Sequence, residues 1–288
     1  MRSLLFVPAD SERKLTKAVD SGADVLLLDL EDSVAPARKE AARVMAAEFL
    51  KARPAGLRVF VRINPLSGGM SAADLDAVVP GRPDGIMLPK CAGGADVRAL
   101  DDMLAQREAA LGLDPGRIEI LPIVTETARA MFGLGTYAGV SARLSAMMWG
   151  AEDLAADIGA VANRRADGSY EPPFELARSL CLFAAAAAGV PAIDTVFTDF
   201  RDLAGLEREA KLGVRHGFSG KAAIHPDQVP VINRAFTPEP AAVEWAQKVV
   251  AAFAAAPEAG VVGLDGMMLD RPHLIAARRT LSRAGLKG

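Results

Sequence analysis

Four apolar runs in this chain end in side chains that can do chemistry. VLLLDL carries Asp29 and leads into Glu31 and Asp32, VFVRIN carries Arg62, ILPIVT runs into Glu126, and AMMWGA is followed by Glu152 and Asp153. Buried strands that deposit carboxylates and an arginine at their C-terminal ends are typical of parallel-sheet enzymes, whose loops converge there on one site. Glu126 and Asp153 lie just past the fifth and sixth runs, so two neighbouring strand ends can aim both carboxylates at one hard divalent cation. With oxygen ligands and no supporting cysteine or histidine, the pair favours Mg2+, or Mn2+, over zinc. A single carboxylate at such a place can simply charge the first turn of the next helix; two on adjacent strands favour a site. Arg62 sits in a run otherwise fit for the core and needs a fixed anion, which Asp29, Glu31 and Asp32 can provide. The same guanidinium can face negative charge developing on a substrate oxygen. Lys90 and Lys221 are either Schiff-base lysines of a barrel aldolase or members of plain ion pairs. His225, just before Pro226, reads as a hydrogen-bonded structural residue. Arg13, Lys14 and Lys17 follow the first run and either meet phosphates or form a solvated helix face.

These residues need a frame. Eight short runs rich in Val, Ile, Leu and Met read as strands buried on both faces: 3–8, 25–30, 58–64, 85–90, 119–125, 144–150, 192–198 and 218–225. Between them lie Ala-, Leu-, Arg- and Glu-rich segments with helical spacing and Gly or Pro near their ends. Eight strand–helix repeats predict an α/β protein with a closed (β/α)8 TIM barrel over 1–230 and a C-terminal helical extension over 231–288. The extension exceeds what a barrel needs, so it closes the bottom, covers the mouth or reaches a neighbouring subunit. Its piece GVVGLDGMMLDRP reads as turn-rich, feeding a last helix. The long polar stretch ANRRADGSYEPPFE, between the sixth and seventh strands, reads as a functional loop.

The bulk composition excludes several functions. A chain of 288 residues, 51% of them hydrophobic, suits one large core. A net charge of -3 attracts neither nucleic acid nor an anionic membrane, so an anionic ligand needs a local basic cluster. Cys91 and Cys181 stand far apart without paired spacing, which argues against a disulfide framework or a thiolate metal site and for a reducing cytoplasm. The N-terminal apolar run is too short for a signal peptide, and no stretch approaches a membrane span. Walker, Gly-x-Gly-x-x-Gly and nucleophile-elbow patterns are absent from the sequence.

Taken together, RSLLFVPAD, ADVLLLDLEDSVAP, VRINP, GIMLPK, ETARA, WGAEDLAADIG, DTVFTDFRD, GFSGKAAIHPDQV and GLDGMMLDRP resemble the citrate lyase β-subunit family, the CoA-ester lyases of the HpcH/HpaI aldolase superfamily. The resemblance covers nearly the whole chain. It implies a (β/α)8 barrel, usually trimeric, in which Glu126 and Asp153 ligate Mg2+ and Arg62 contacts the reacting part of the substrate. It also implies that Asp270 reaches an adjacent subunit's site as acid or base. Glu31 and Asp32 are further catalytic candidates, Gly150, Ala151 and Glu152 candidate substrate contacts, and Arg13, Lys14 and Lys17 candidate CoA contacts. The implied reaction is reversible cleavage of a β-hydroxyacyl-CoA thioester of malyl, citramalyl or citryl type into an acyl-CoA and a 2-oxo acid. The rivals on the same site are a malyl-CoA-type thioesterase and a citrate lyase β-subunit acting on an acyl carrier protein thioester.

Overall fold

The computed structural model describes residues 1–286. The chain divides into two compact units, Met1–Ile232 and Asn233–Gly288.

The first unit is an eight-stranded parallel barrel. Its strands are β1 (Ser3–Pro8), β2 (Val25–Asp29), β3 (Val59–Arg62), β4 (Gly85–Leu88), β5 (Glu119–Pro122), β6 (Met147–Met148), β7 (Ala192–Asp194) and β8 (Gly220–Ala223). They pair in the order β5-β4-β3-β2-β1-β8-β7-β6. Parallel bridges Ile120↔Leu144 and Ile123↔Met148 link β5 to β6 and close the ring. The strands are shorter than the apolar runs, most of all β6, because the ladder stops where the chain turns into the loops that carry the polar residues.

Side chains alternate across each strand. One set, including Leu4, Val25, Leu27, Phe60, Met87, Leu121, Met148 and Ile193, fills the barrel interior as a dry core. Continuing that alternation puts Phe6, Asp29 and Arg62 on the interior side at the C-terminal rim. The register makes Asp29 and Arg62 direct partners across β2 and β3. The other set, including Leu5, Leu26 and Leu28, is fully buried on the barrel's outer side, beneath the helices.

The helices are α1 (Glu12–Val19), α2 (Lys39–Ala52), α3 (Ser71–Val78), α4 (Gly94–Leu111), α5 (Ala128–Met131), α6 (Glu152–Asp157), α7 (Pro172–Ala188), α8 (Leu203–His216) and α9 (Gln228–Phe236). Each longer helix buries one stripe: Ala42, Ala46 and Leu50 in α2, and Val97, Leu100 and Leu104 in α4. Their ends follow local chemistry. The Asp202 carboxylate caps α8 by accepting from the Gly205 amide at 2.8 Å, and α7 begins with prolines and stops at Gly189 in a left-handed conformation.

The second unit contains α10 (Pro240–Ala255), the antiparallel hairpin β9 (Val261–Leu264) and β10 (Met267–Asp270), and α11 (Arg271–Arg283). Its core joins Ala246, Val249 and Phe253 to Val262 and Leu269 and to Leu274, Ala277 and Leu281. The extension is therefore not purely helical. Asp265-Gly266, both at positive φ, make the two-residue turn that a right-twisted hairpin requires, and that dipeptide turns the expected turn-rich piece into paired strands.

Candidate active site at the barrel mouth

Arg62 ends β3 with only a tenth of its side chain exposed. Nε donates to Asp29 Oδ1 at 2.7 Å and Nη2 to Asp29 Oδ2 at 2.6 Å, a bidentate clamp on a buried carboxylate. The Phe6 ring lies 4.8 Å from the guanidinium carbon. Burial works against the Asp29 anion, but Arg62 outweighs it and holds the Asp29 pKa below the usual range.

Glu31 lies close by in a different state. Lys90 Nζ donates to Glu31 Oε1, while Oε2 is buried without a hydrogen-bond partner. Arg62 Nη1 is 2.9 Å from Oε2 but off the direction of its N–H bonds, so the contact is an ion pair and leaves the oxygen's lone pairs unused. Burial raises the Glu31 pKa despite both cations. A carboxylate with an idle buried oxygen and a raised pKa is suited to moving protons.

Glu126 follows β5 and is 2% exposed. One of its oxygens accepts from the backbone amide of Lys90, a residue at φ 50°. Burial, and then the Asp153 charge, push its pKa up to about 8. Asp153, in the first turn of α6, has about a third of its side chain exposed. The two loops are stitched together: the Gly150 amide donates to Thr125 Oγ1 at 3.0 Å, and that hydroxyl donates to the Gly150 carbonyl at 3.3 Å. A Cβ at Gly150 would lie 2.8 Å from Glu126 Cγ, so the close approach of the β6 loop to this carboxylate requires glycine. Among the described residues no group of three or more His, Cys, Asp or Glu is arranged to hold a metal. The Glu126–Asp153 pair nevertheless fits a cation that keeps most of its ligands as water or substrate, as Mg2+ does. The donors are all oxygen, and the Asp153 charge disfavours the ionised form of Glu126, which a divalent cation between them would favour.

The remaining candidates divide. Ala151 is buried, and Glu152 accepts from Asn163 Nδ2 at 2.9 Å. Asp32 is exposed and lies 3.1 Å from Lys90 Nζ. Arg13, Lys14 and Lys17 of α1 line a hollow of about 380 Å3 with Phe6, Pro8 and His225. His225 stacks on Phe200 at 5.1 Å and accepts from the Asp227 amide at 3.2 Å, which is the structural role expected of it. Asp270 belongs to the second unit, where it forms a capping box with His273 at the start of α11.

Neither lysine suits Schiff-base chemistry. Lys90 Nζ is paired with Glu31, Asp32 and Asp153, and Glu31, then Asp153 and Glu126, raise its pKa despite partial burial. Lys221 is fully buried, donating to the Thr195 carbonyl at 2.7 Å and to Glu209 at 2.8 Å, with Asp194 at 3.6 Å. A nucleophilic amine must shed its proton and reach the substrate; the carboxylates around Lys90 oppose the first, and complete burial denies Lys221 the second.

The long β6–α7 stretch is pinned through Arg164, which donates to Glu209 at 2.6 Å and lies over the Tyr170 ring at 4.0 Å. With α7 and α8 it lines a second hollow of about 680 Å3, to which none of the candidate catalytic residues contributes. An anchor that the sequence reading missed lies beneath. Trp149 Nε1 donates to Asp194 Oδ1 at 2.6 Å, tying the Gly150–Asp153 loop to a carboxylate also held by Arg178 at 2.8 Å. An aspartate closing a strand, as in AID, was the available signal.

Known proteins resemble this chain in sequence and fold. The model of the HpcH/HpaI aldolase/citrate lyase family matches residues 2–226. The (3S)-malyl-CoA thioesterase of Cereibacter sphaeroides is 35% identical over 291 residues, covering 98% of this chain and 94% of that protein. The mitochondrial citramalyl-CoA lyase of Mus musculus is 33% identical over 296 residues, covering 98% and 86%. The crystal structure of CitE from Mycobacterium tuberculosis with magnesium, acetoacetate and coenzyme A superposes with a TM-score of 0.78 at 37% identity, covering 99% of this chain and 98% of that one. With the family model spanning the barrel and relatives this similar over nearly the full length, the chain belongs to the HpcH/HpaI aldolase/citrate lyase family.

Proposed function

We propose that the protein is a Mg2+-dependent carbon–carbon lyase that cleaves a β-hydroxyacyl-CoA thioester of malyl, citramalyl or citryl type into an acyl-CoA and a 2-oxo acid. The observation that carries this is the meeting, at one barrel mouth, of the Glu126–Asp153 pair with an Asp29-clamped arginine and a carboxylate oxygen that lacks a donor. Glu126 and Asp153 would hold the metal, which, when bound, lowers the pKa of the substrate hydroxyl and polarises the forming carbonyl. Glu31 Oε2 takes the hydroxyl proton, with Asp32 beside it. The O–H electrons become the new carbonyl π bond, and the carbon–carbon bonding pair moves into the thioester as an enolate. Arg62, fixed by Asp29, faces the enolate oxygen with its remaining N–H groups. Asp270 of a second copy returns a proton to carbon, which makes a homo-oligomer, a trimer by family resemblance, the working unit.

Arg13, Lys14 and Lys17 would take the CoA phosphates. Arg13 and Lys14 stand in the first turn of α1, where basic side chains add to the positive end of the helix dipole and call for an anion. The Gly150–Glu152 backbone would face the substrate's carboxylate end. Among the described residues no helix is long and apolar enough to cross a membrane. The two buried free cysteines suit the cytoplasm.

Incubation with Mg2+ and malyl-, citramalyl- or citryl-CoA should release a 2-oxo acid in step with acyl-CoA. The similarity to the malyl-CoA thioesterase favours one second reading, hydrolysis on the same site. Free CoA thiol and malate without a 2-oxo acid would establish that reading. Failure on every CoA ester, with activity on an acyl carrier protein thioester, would make the chain a citrate lyase β-subunit.

A further inference from the structure

Lys90 touches more of the mouth than a single ion pair needs. Its amide donates to Glu126, and its ammonium pairs with Glu31, with Asp32 at 3.1 Å and with Asp153 at 3.2 Å. The backbone that allows this is costly. Lys90 stands at φ 50°, in the left-handed region that a lysine rarely occupies. That conformation turns the amide toward Glu126 while the side chain runs back over Asp153, so one residue engages both carboxylates of the proposed metal pair. Around it Asp29, Glu31, Asp32, Glu126 and Asp153 face the two cations Arg62 and Lys90, and Arg62 is already committed to Asp29.

We propose that Lys90 is a built-in counter-cation for the metal site: it holds Glu126 and Asp153 in place without metal, and its ammonium must release Asp153 when a divalent cation binds. Lys90 is thus a positioning residue that sets metal affinity, and metal entry hands its ammonium wholly to Glu31 and Asp32. This couples the metal ligands to the proton-transferring carboxylates through one side chain. The inference rests on Glu126 and Asp153 being the metal ligands.

Two readouts move in opposite directions. Lys90→Met keeps an unbranched side chain one atom shorter and removes the charge. Without its counter-ion the metal-free protein should melt at a lower temperature. Mn2+ alone, followed by loss of its free-ion electron paramagnetic resonance signal, should bind at least about tenfold more tightly, because a repelling charge beside the ligands is gone. Lys90→Arg should restore the weaker affinity. Lys90→Asn, whose side chain tolerates the left-handed backbone, serves the same test if the Met variant does not fold. Unchanged or weaker Mn2+ binding in a folded, charge-free variant overturns the proposal. The Asp153→Asn protein separates the two ideas. If wild type binds Mn2+, Asp153→Asn does not, and Lys90→Met matches wild type, the metal site stands and the role of Lys90 falls. If neither wild type nor Lys90→Met binds Mn2+, both fall.

Discussion

Replacing Glu126 by Gln should stabilise the metal-free protein while abolishing its response to Mg2+. Glu126 is buried against Asp153, and its pKa is pushed from 4.5 up to about 8. Between these two values the unfolded chain has lost this proton and the folded chain keeps it, so folded stability falls as pH rises. From pH 4.5 to pH 7, at about 1.4 kcal/mol per unit, this one group costs about 3 kcal/mol. Gln is a neutral isostere of the protonated acid, and its carbonyl can still accept from the Lys90 amide. At pH 7 the metal-free variant should therefore melt about 6 °C above metal-free wild type, at roughly 2 °C per kcal/mol for a chain of this size. The difference should vanish near pH 4.5 and grow toward pH 8. Thermal melts from pH 4.5 to 8.5, each in EDTA and in saturating Mg2+, measure both effects. Wild type should gain with Mg2+, most at high pH where no proton need be displaced, and Glu126→Gln should gain nothing. A variant that melts below metal-free wild type throughout, or that keeps the full Mg2+ shift, refutes the reasoning.

Arg62→Lys keeps the charge but loses the two-pronged grip on Asp29. Turnover should fall by about a hundredfold or more in a protein whose circular dichroism is unchanged, and near-normal turnover would return Arg62 to a structural role. Asp194 is fully buried, which opposes its charge, yet Lys221 and Arg178 hold its pKa at about 2. The resulting stabilisation, about 2 kcal/mol, is present above pH 4 and disappears as pH falls toward 2, so urea midpoints of wild type should drop over that range while those of Asp194→Asn, lower at neutral pH, stay nearly flat. Mixing Asp270→Asn with Asp153→Asn under subunit exchange should recover part of the activity that each lacks alone, because some interfaces then contain one intact composite site. Mixed oligomers confirmed by mass without recovery would remove Asp270 from a neighbour's site.

The eight strands and the polar residues at their ends were legible in the sequence because both signals are local. A strand buried on both faces needs a continuous apolar run, and a charge at its end stands out against that run. Hence Asp29, Glu31, Arg62, Glu126 and Asp153 could be named as a set, and the family motifs could be recognised along the whole chain. The division of labour among them was not local. Asp29 and Glu31 are two residues apart and chemically alike, yet the β2–β3 register gives Asp29 both prongs of Arg62 and leaves a Glu31 oxygen without a donor. Lys90 follows an unremarkable strand, and only its left-handed backbone, which a single lysine in a sequence does not announce, turns it onto Glu126 and Asp153. The Asp-Gly turn of the tail was written plainly, but its neighbours Val261–Leu264 and Met267–Asp270 form strands through pairing with each other and burial against α10 and α11. Apolar pattern and residue type act over a few neighbours along the chain; charge pairing, desolvation and register act between residues that only the closed fold brings together.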